Sequence, residues 1–164
     1  MKDEKGFSLI ELLITIAVMA TLTAIAVLGT EGIRTGYRVR GAARLVYGDM
    51  QMARLSAIKG GRKWAVCFSA GNTVFTSYSI RNTPGADNNL CTGDDPTTGA
   101  APFYRKDVDL SSGDYSTLTF NENFTGTNVE FNPNGTASSG NLTITKGTRT
   151  ITITVSGNTG NIRM

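Results

Sequence analysis

From Phe7 to Leu28 the chain is apolar or small, broken only by Ser8, Glu11 and the threonines at 15, 21 and 23. At a rise of 1.5 Å per residue, a helix of that length reaches about 33 Å, enough to cross a hydrocarbon core. A cleaved secretory signal fits poorly, because its apolar core should be shorter and end in a small-residue cleavage site. Here the short polar piece, Met1 to Gly6, lies before the apolar run, and Lys2 and Lys5 favour keeping that end cytoplasmic.

Glu11 needs a separate account, since an ionised carboxylate in lipid is costly unless it is paired. In a plain single-pass anchor it would be a tolerated oddity near the interface. The string Gly6-Phe7-Ser8-Leu9-Ile10-Glu11 closely resembles the processing site of type IV pilins and type II secretion pseudopilins. The resemblance implies that a prepilin peptidase cuts between Gly6 and Phe7 and methylates the new amino terminus at Phe7. Glu11 is then the fifth residue of the mature chain. Helices packed in parallel with a stagger bring the amine of Phe7 to a neighbour's Glu11, an assembly contact that sets register more than it adds stability.

Past Gly29 and Gly32 a second helical pattern begins. Val39, Ala42, Ala43, Val46, Met50, Ala53 and Ala57 recur at spacings of three and four and make one apolar stripe. Arg34, Arg38, Arg44 and Arg54 lie largely off it, and Gly60-Gly61 supplies a stop. A stripe of this kind packs on the protein's own sheet, and the family resemblance implies the same: half of the long helix in the membrane, half under a globular head. Family members often kink the membrane half at a proline. None stands there in this chain, which leaves Gly29 and Gly32 as the weak points.

Beyond Arg62 the period changes to two and β-branched residues dominate. "WAVCF", "SAGN" and "TVFTSYSI" predict a hairpin. Further short strands are expected around Phe103–Leu110, Leu118–Phe120, Val129–Phe131, Leu142–Thr145, Thr150–Val155 and Asn161–Arg163. Segments this short at this spacing suggest a β-sandwich or paired antiparallel sheets. The loop "RNTPGADNNLCTGDDPTTGAAP" is long for a compact domain. Cys91 falls in it and Cys67 in a strand. In an oxidising periplasm they could bridge and pin the loop to the sheet; the alternative is two free thiols.

Two further stretches specify the branch. "DMQMARLSAIKGG" and "VEFNPNGTASSGNLTI" resemble the helix end and the approach to the last strands in the GspH/FimT branch, whose members are minor pseudopilins and minor pilins. The middle loop resembles nothing comparable.

Little in the composition supports catalysis. The chain has no histidine, which removes the commonest general base and metal ligand, and nothing offers a Ser or Cys nucleophile a base. Asp107 and Asp109 share one strand face by alternation and are expected in solvent. Asp87, Asn88, Asp94 and Asp95 are oxygen donors of the kind calcium takes, but their spacing matches no EF-hand. No metal and no cofactor are expected, and the chain is read as no enzyme.

Charge bears on a last alternative. From Glu31 to Lys63 eight basic side chains face only Glu31 and Asp49, whereas from Trp64 onward six basic side chains face eight acidic ones. Some FimT-type minor pilins bind incoming DNA, an activity associated with Gly-Arg-x-Arg near the C-terminus. The matching positions here are Gly160-Asn161-Ile162-Arg163, which keep the glycine and the second arginine. Lys146, Arg149 and Arg163 are the candidate DNA contacts, and the acidic balance of the head argues against a broad electrostatic footprint.

The reading is therefore an α+β chain: a cleaved leader (1–6), a long N-terminal helix (7–61, with 7–28 transmembrane) and a β-sandwich-like head (62–164). The expected function is a minor pseudopilin or pilin, structural in the assembly or tip of a type II secretion pseudopilus or type IV pilus. The alternatives are a DNA-capture pilin for natural transformation and a membrane-anchored periplasmic binding module outside any filament. Expected partners are other pilins of the filament, the prepilin peptidase and the inner membrane, with DNA not favoured. The head is placed in the periplasm.

Overall fold

The computed structural model describes residues 7–69, 74–82, 90–92, 105–124, 126 and 128–164, with the side chains of 27–31 outside that description. The chain divides into two compact units, Met1–Gly36 and Tyr37–Met164. Helix α1 (Leu9–Gly60) supplies the described secondary structure of the first unit and the opening element of the second. It ends where Gly60-Gly61 predicts, since Gly61 takes φ +63°. That left-handed conformation is the usual helix stop and is open to glycine without a Cβ penalty.

Among the described residues of the second unit nine strands follow: β1 (Trp64–Phe68), β2 (Val74–Phe75), β3 (Ser77–Arg81), β4 (Arg105–Asp109), β5 (Thr119–Glu122), β6 (Asn128–Phe131), β7 (Gly140–Lys146), β8 (Arg149–Val155) and β9 (Ile162–Arg163). They form a four-stranded sheet, ordered β4-β3-β1-β6, and a five-stranded sheet, ordered β2-β5-β7-β8-β9. Every pairing is antiparallel. The fold is the α+β arrangement expected from the sequence, a long helix with antiparallel sheets.

The stripe from Val39 to Ala57 is fully buried at all seven positions. It joins one continuous core with the inward residues of both sheets, among them Val66, Ile80, Val129 and Phe131 from the first and Phe120, Leu142, Ile144 and Ile153 from the second. Alternation places these side chains: residues two apart share a face, so one face of each sheet carries the apolar set.

The expected hairpin differs in one respect. Its second arm divides at Thr76. Ser77–Arg81 pairs with β1, whereas Val74–Phe75 pairs with β5 in the other sheet. The break puts Phe75 against Phe68 at 4.6 Å and Phe120 at 5.5 Å between ring centroids. A strand that changes sheets at a corner is how sandwiches close an edge, and the aromatic contacts reward it.

Candidate functional site

In the first unit, Phe7 is 79% exposed and Glu11 lies exposed in the first turn of α1. Gly6 lies outside the described residues. The segment Leu9–Ala26 has a mean hydropathy of 2.3 and no residue buried. Its threonines are accommodated locally: the hydroxyls of Thr15, Thr21 and Thr23 donate to the carbonyls of Leu12, Val18 and Met19, each at 2.8 Å. A side-chain donor satisfied by the preceding turn is cheap to carry in an apolar medium. Among the described residues Glu11 makes no such local side-chain hydrogen bond, and its sequence neighbours Leu9, Ile10, Leu12 and Leu13 are exposed.

The arginines of the second helical half divide by role. Arg44 is exposed, and Arg38 makes a surface ion pair with Asp114 at 3.5 Å, an arrangement worth little in water. Arg54 instead reaches the C-terminal turn, where its guanidinium donates to the Thr159 carbonyl at 3.0 Å.

The two cysteines form a disulfide, Cys67–Cys91, with 5.3 Å between Cα atoms. It draws Leu90 and Cys91 over the outer face of β1, where Ala65, Cys67 and Leu90 are buried as a small second cluster. This explains why β1 is buried on both faces although only one faces the main core. The oxygen donors Asp87, Asn88, Asp94 and Asp95 lie outside the described residues. Among the described residues no group of His, Cys, Asp and Glu could hold a metal.

Asp107 and Asp109 share the outer face of β4, each engaged in its own way. Asp107 accepts the Arg105 Nε at 2.9 Å on both oxygens. Asp109 accepts the Ser111 hydroxyl at 2.6 Å and backbone N–H at 2.7 Å. Those hydrogen bonds hold its carboxyl below the usual aspartate value.

Of the three candidate DNA contacts, two are brought together. Lys146 and Arg149 are paired neighbours that flank the two-residue β7–β8 turn. Arg163 pairs with Thr154, five positions further along β8. At about 3.4 Å per residue that places it roughly 17 Å from Arg149, and alternation turns it to the opposite face of the sheet. Lys146 is also engaged with the Thr117 hydroxyl at 2.6 Å. Gly160 has a structural reason of its own: φ is +56°, and a Cβ there would meet the Gly135 carbonyl oxygen.

One cluster escaped the sequence reading. Asp49 is 8% exposed on the buried stripe of α1. Its carboxylate accepts the Tyr78 hydroxyl from β3 at 2.7 Å and the Lys106 ammonium from β4 at 2.7 Å. Burial, reinforced by the Asp49 carboxylate, pushes the Tyr78 phenol well above its ordinary value near 10. The signal was available: Asp49 lies three residues after Val46 and four before Ala53, a charge on an apolar stripe.

An exposed apolar N-terminal helix, followed by a helix face buried with two antiparallel sheets, defines a pilin-like subunit. Residues 1–27 match the prokaryotic N-terminal methylation motif, and residues 42–159 match the family described as type II transport protein GspH. The chain belongs to that GspH family of minor pilins and pseudopilins. Among solved structures it is similar in fold to the type IV minor pilin FimU of Pseudomonas aeruginosa in two crystal forms. For the P21 form the TM-score is 0.54 at 19% identity, covering 77% of this chain and 87% of that one. For the P65 form it is 0.52 at 19% identity, covering 76% and 90%. No curated protein sequence matches the chain.

Proposed function

We propose that the chain is a minor pseudopilin or minor pilin, a structural subunit that enters the assembly or tip of a type II secretion pseudopilus or type IV pilus. In this reading prepilin peptidase removes 1–6, methylates Phe7, and leaves 7–28 spanning the inner membrane with the 62–164 head in the periplasm. Glu11 then pairs with the Phe7 amine of a neighbouring subunit as the helix enters the filament.

The observation that carries the reading is the joint occurrence, in one chain, of the methylation motif over 1–27 and the GspH match over 42–159. The geometry supports it. An apolar helix with none of its span buried needs lipid or neighbouring helices around it, and both are what this role supplies. Glu11, the charge in that helix, has a purpose there as a register contact.

Mass spectrometry of the chain extracted from membranes of a host with the peptidase tests the proposal. The expected species begins at Phe7 and carries one added methyl group. A chain retaining Met1 in such a host would refute it.

A further inference from the structure

The last sheet has an unfinished edge. β9 pairs with β8 only at Thr154 and Val155, so among the described residues Arg149–Ile153 has a partner strand on the β7 side alone. The direction of each backbone group follows from three observations. The Ser156 N–H donates to the Asn161 carbonyl at 2.9 Å, so the next pair, Val155 and Ile162, is non-bonded and the Thr154–Arg163 pair is bonded. On the far side, the Asn141 carbonyl accepts from Asn123 rather than from β8. The two-residue Gly147-Thr148 turn makes Lys146–Arg149 its closing bonded pair. All three give the same parity. Ile151 and Ile153 bond to β7, while Thr150 and Thr152 direct both N–H and C=O at the open side.

Other edges among the described strands are blunted. β4 carries Arg105, Lys106, Asp107 and Asp109 on five residues. β2 is two residues long. β6 is capped by the Phe131–Ala137 bridge and by the Ser138 N–H to the Glu130 carbonyl. β8 has none of these devices. From Thr150 to Val155 it reads Thr-Ile-Thr-Ile-Thr-Val, uncharged, β-branched and free of proline and glycine. Such a segment on an open edge is a template for strand pairing.

The flanking charges decide which strand fits. Lys146 and Arg149 stand at one end of the edge and exposed Arg163 at the other. The one carboxylate of this sheet, Glu122, is buried and accepts the Phe124 N–H at 2.8 Å. A second copy pairing through β8 would bring only the same basic side chains and no free carboxylate to this edge. We propose that the free edge of β8, at Thr150 and Thr152, receives an added strand from another polypeptide, an extended segment carrying carboxylates. This goes beyond the filament role and does not require it.

Amide hydrogen exchange of the purified full chain in detergent micelles is the test. The probe is the capped peptide Asp-Val-Glu-Val-Asp-Val, with Lys-Val-Lys-Val-Lys-Val as its counterpart. In the free chain Ile151 and Ile153 should exchange slowly and Thr150 and Thr152 fast. The acidic peptide at about ten times its dissociation constant should slow Thr150 and Thr152 about tenfold, and the basic peptide should not. Thr152→Pro removes only the donor aimed at the open side, so it should keep the β7 ladder and abolish the effect. Should that variant fail to fold, the alternating pattern in the unaltered chain decides alone. Protection of Thr150 and Thr152 without peptide, no slowing, equal slowing by both peptides, or self-association of the free chain would each overturn the proposal.

Discussion

Asp49 on α1 and Lys106 on β4 meet at 2.7 Å, with their side chains 11% and 40% exposed. The pair joins the long helix to the sheet across 57 positions of sequence. Because Tyr78 donates to the same carboxylate, one buried oxygen pair satisfies groups from two strands at once. A charge so placed is held in by its partners, and losing it leaves a buried phenol without an acceptor.

Asp49→Ala should therefore destabilise the head by about 2–4 kcal/mol, and Asp49→Asn by less, since the amide oxygen still accepts from Tyr78. Trp64, the only tryptophan and nearly buried, reports unfolding in a urea titration of the full chain in micelles. Midpoints equal to that of the unaltered chain would show that the cluster contributes nothing.

The same cluster sets an alkaline limit. Folding raises the Tyr78 phenol above its ordinary 10.0, so above about pH 10 the folded chain binds more protons than the unfolded one. Its contribution is full below that pH and is lost as pH rises, at up to about 1.4 kcal/mol per pH unit. The fall in stability between pH 10 and 11 should be shallower in Tyr78→Phe. An identical slope would remove Tyr78 as its source.

The disulfide closes a separation of 24 residues, worth about 3 kcal/mol in the chain-entropy account. Replacing Cys67 and Cys91 together by alanine should lower Tm by about 10 °C for a domain of this size. The unaltered chain should resist thiol labelling until reduced. Labelling of both cysteines without reductant would contradict the bridge.

Glu11→Ala should leave processing at Gly6 largely intact, because the cut precedes the residue and the apolar run survives. On the proposed assembly role it should reduce incorporation, since the Phe7 amine would then lose its partner in a dry environment. Glu11→Gln, which keeps shape and removes charge, should be nearly as harmful. The readout is the fraction of each variant that co-purifies with sheared filaments relative to its level in the membrane. Full incorporation of both would make Glu11 a passenger.

The sequence by itself determined the elements whose signals are local. The apolar run, the stripe from Val39 to Ala57 and its stop at Gly61 need only a helical period and a left-handed glycine, so they could be placed before any contact was known. Strand positions in the second half were legible from alternation for the same reason. Tertiary structure alone decided everything that depends on which strands meet. The division of β2 from β3 at Thr76 depends on Phe75 finding Phe68 and Phe120, a reward no local window contains. Cys67 and Cys91 were compatible with a bridge or with two thiols until the fold set their Cα atoms 5.3 Å apart. Lys146, Arg149 and Arg163 looked like one patch in sequence, but pairing register separates Arg163 along β8 and turns it to the other face. Side-chain period is a property of one segment, whereas register, burial of a charge and the meeting of distant residues are set by long-range packing.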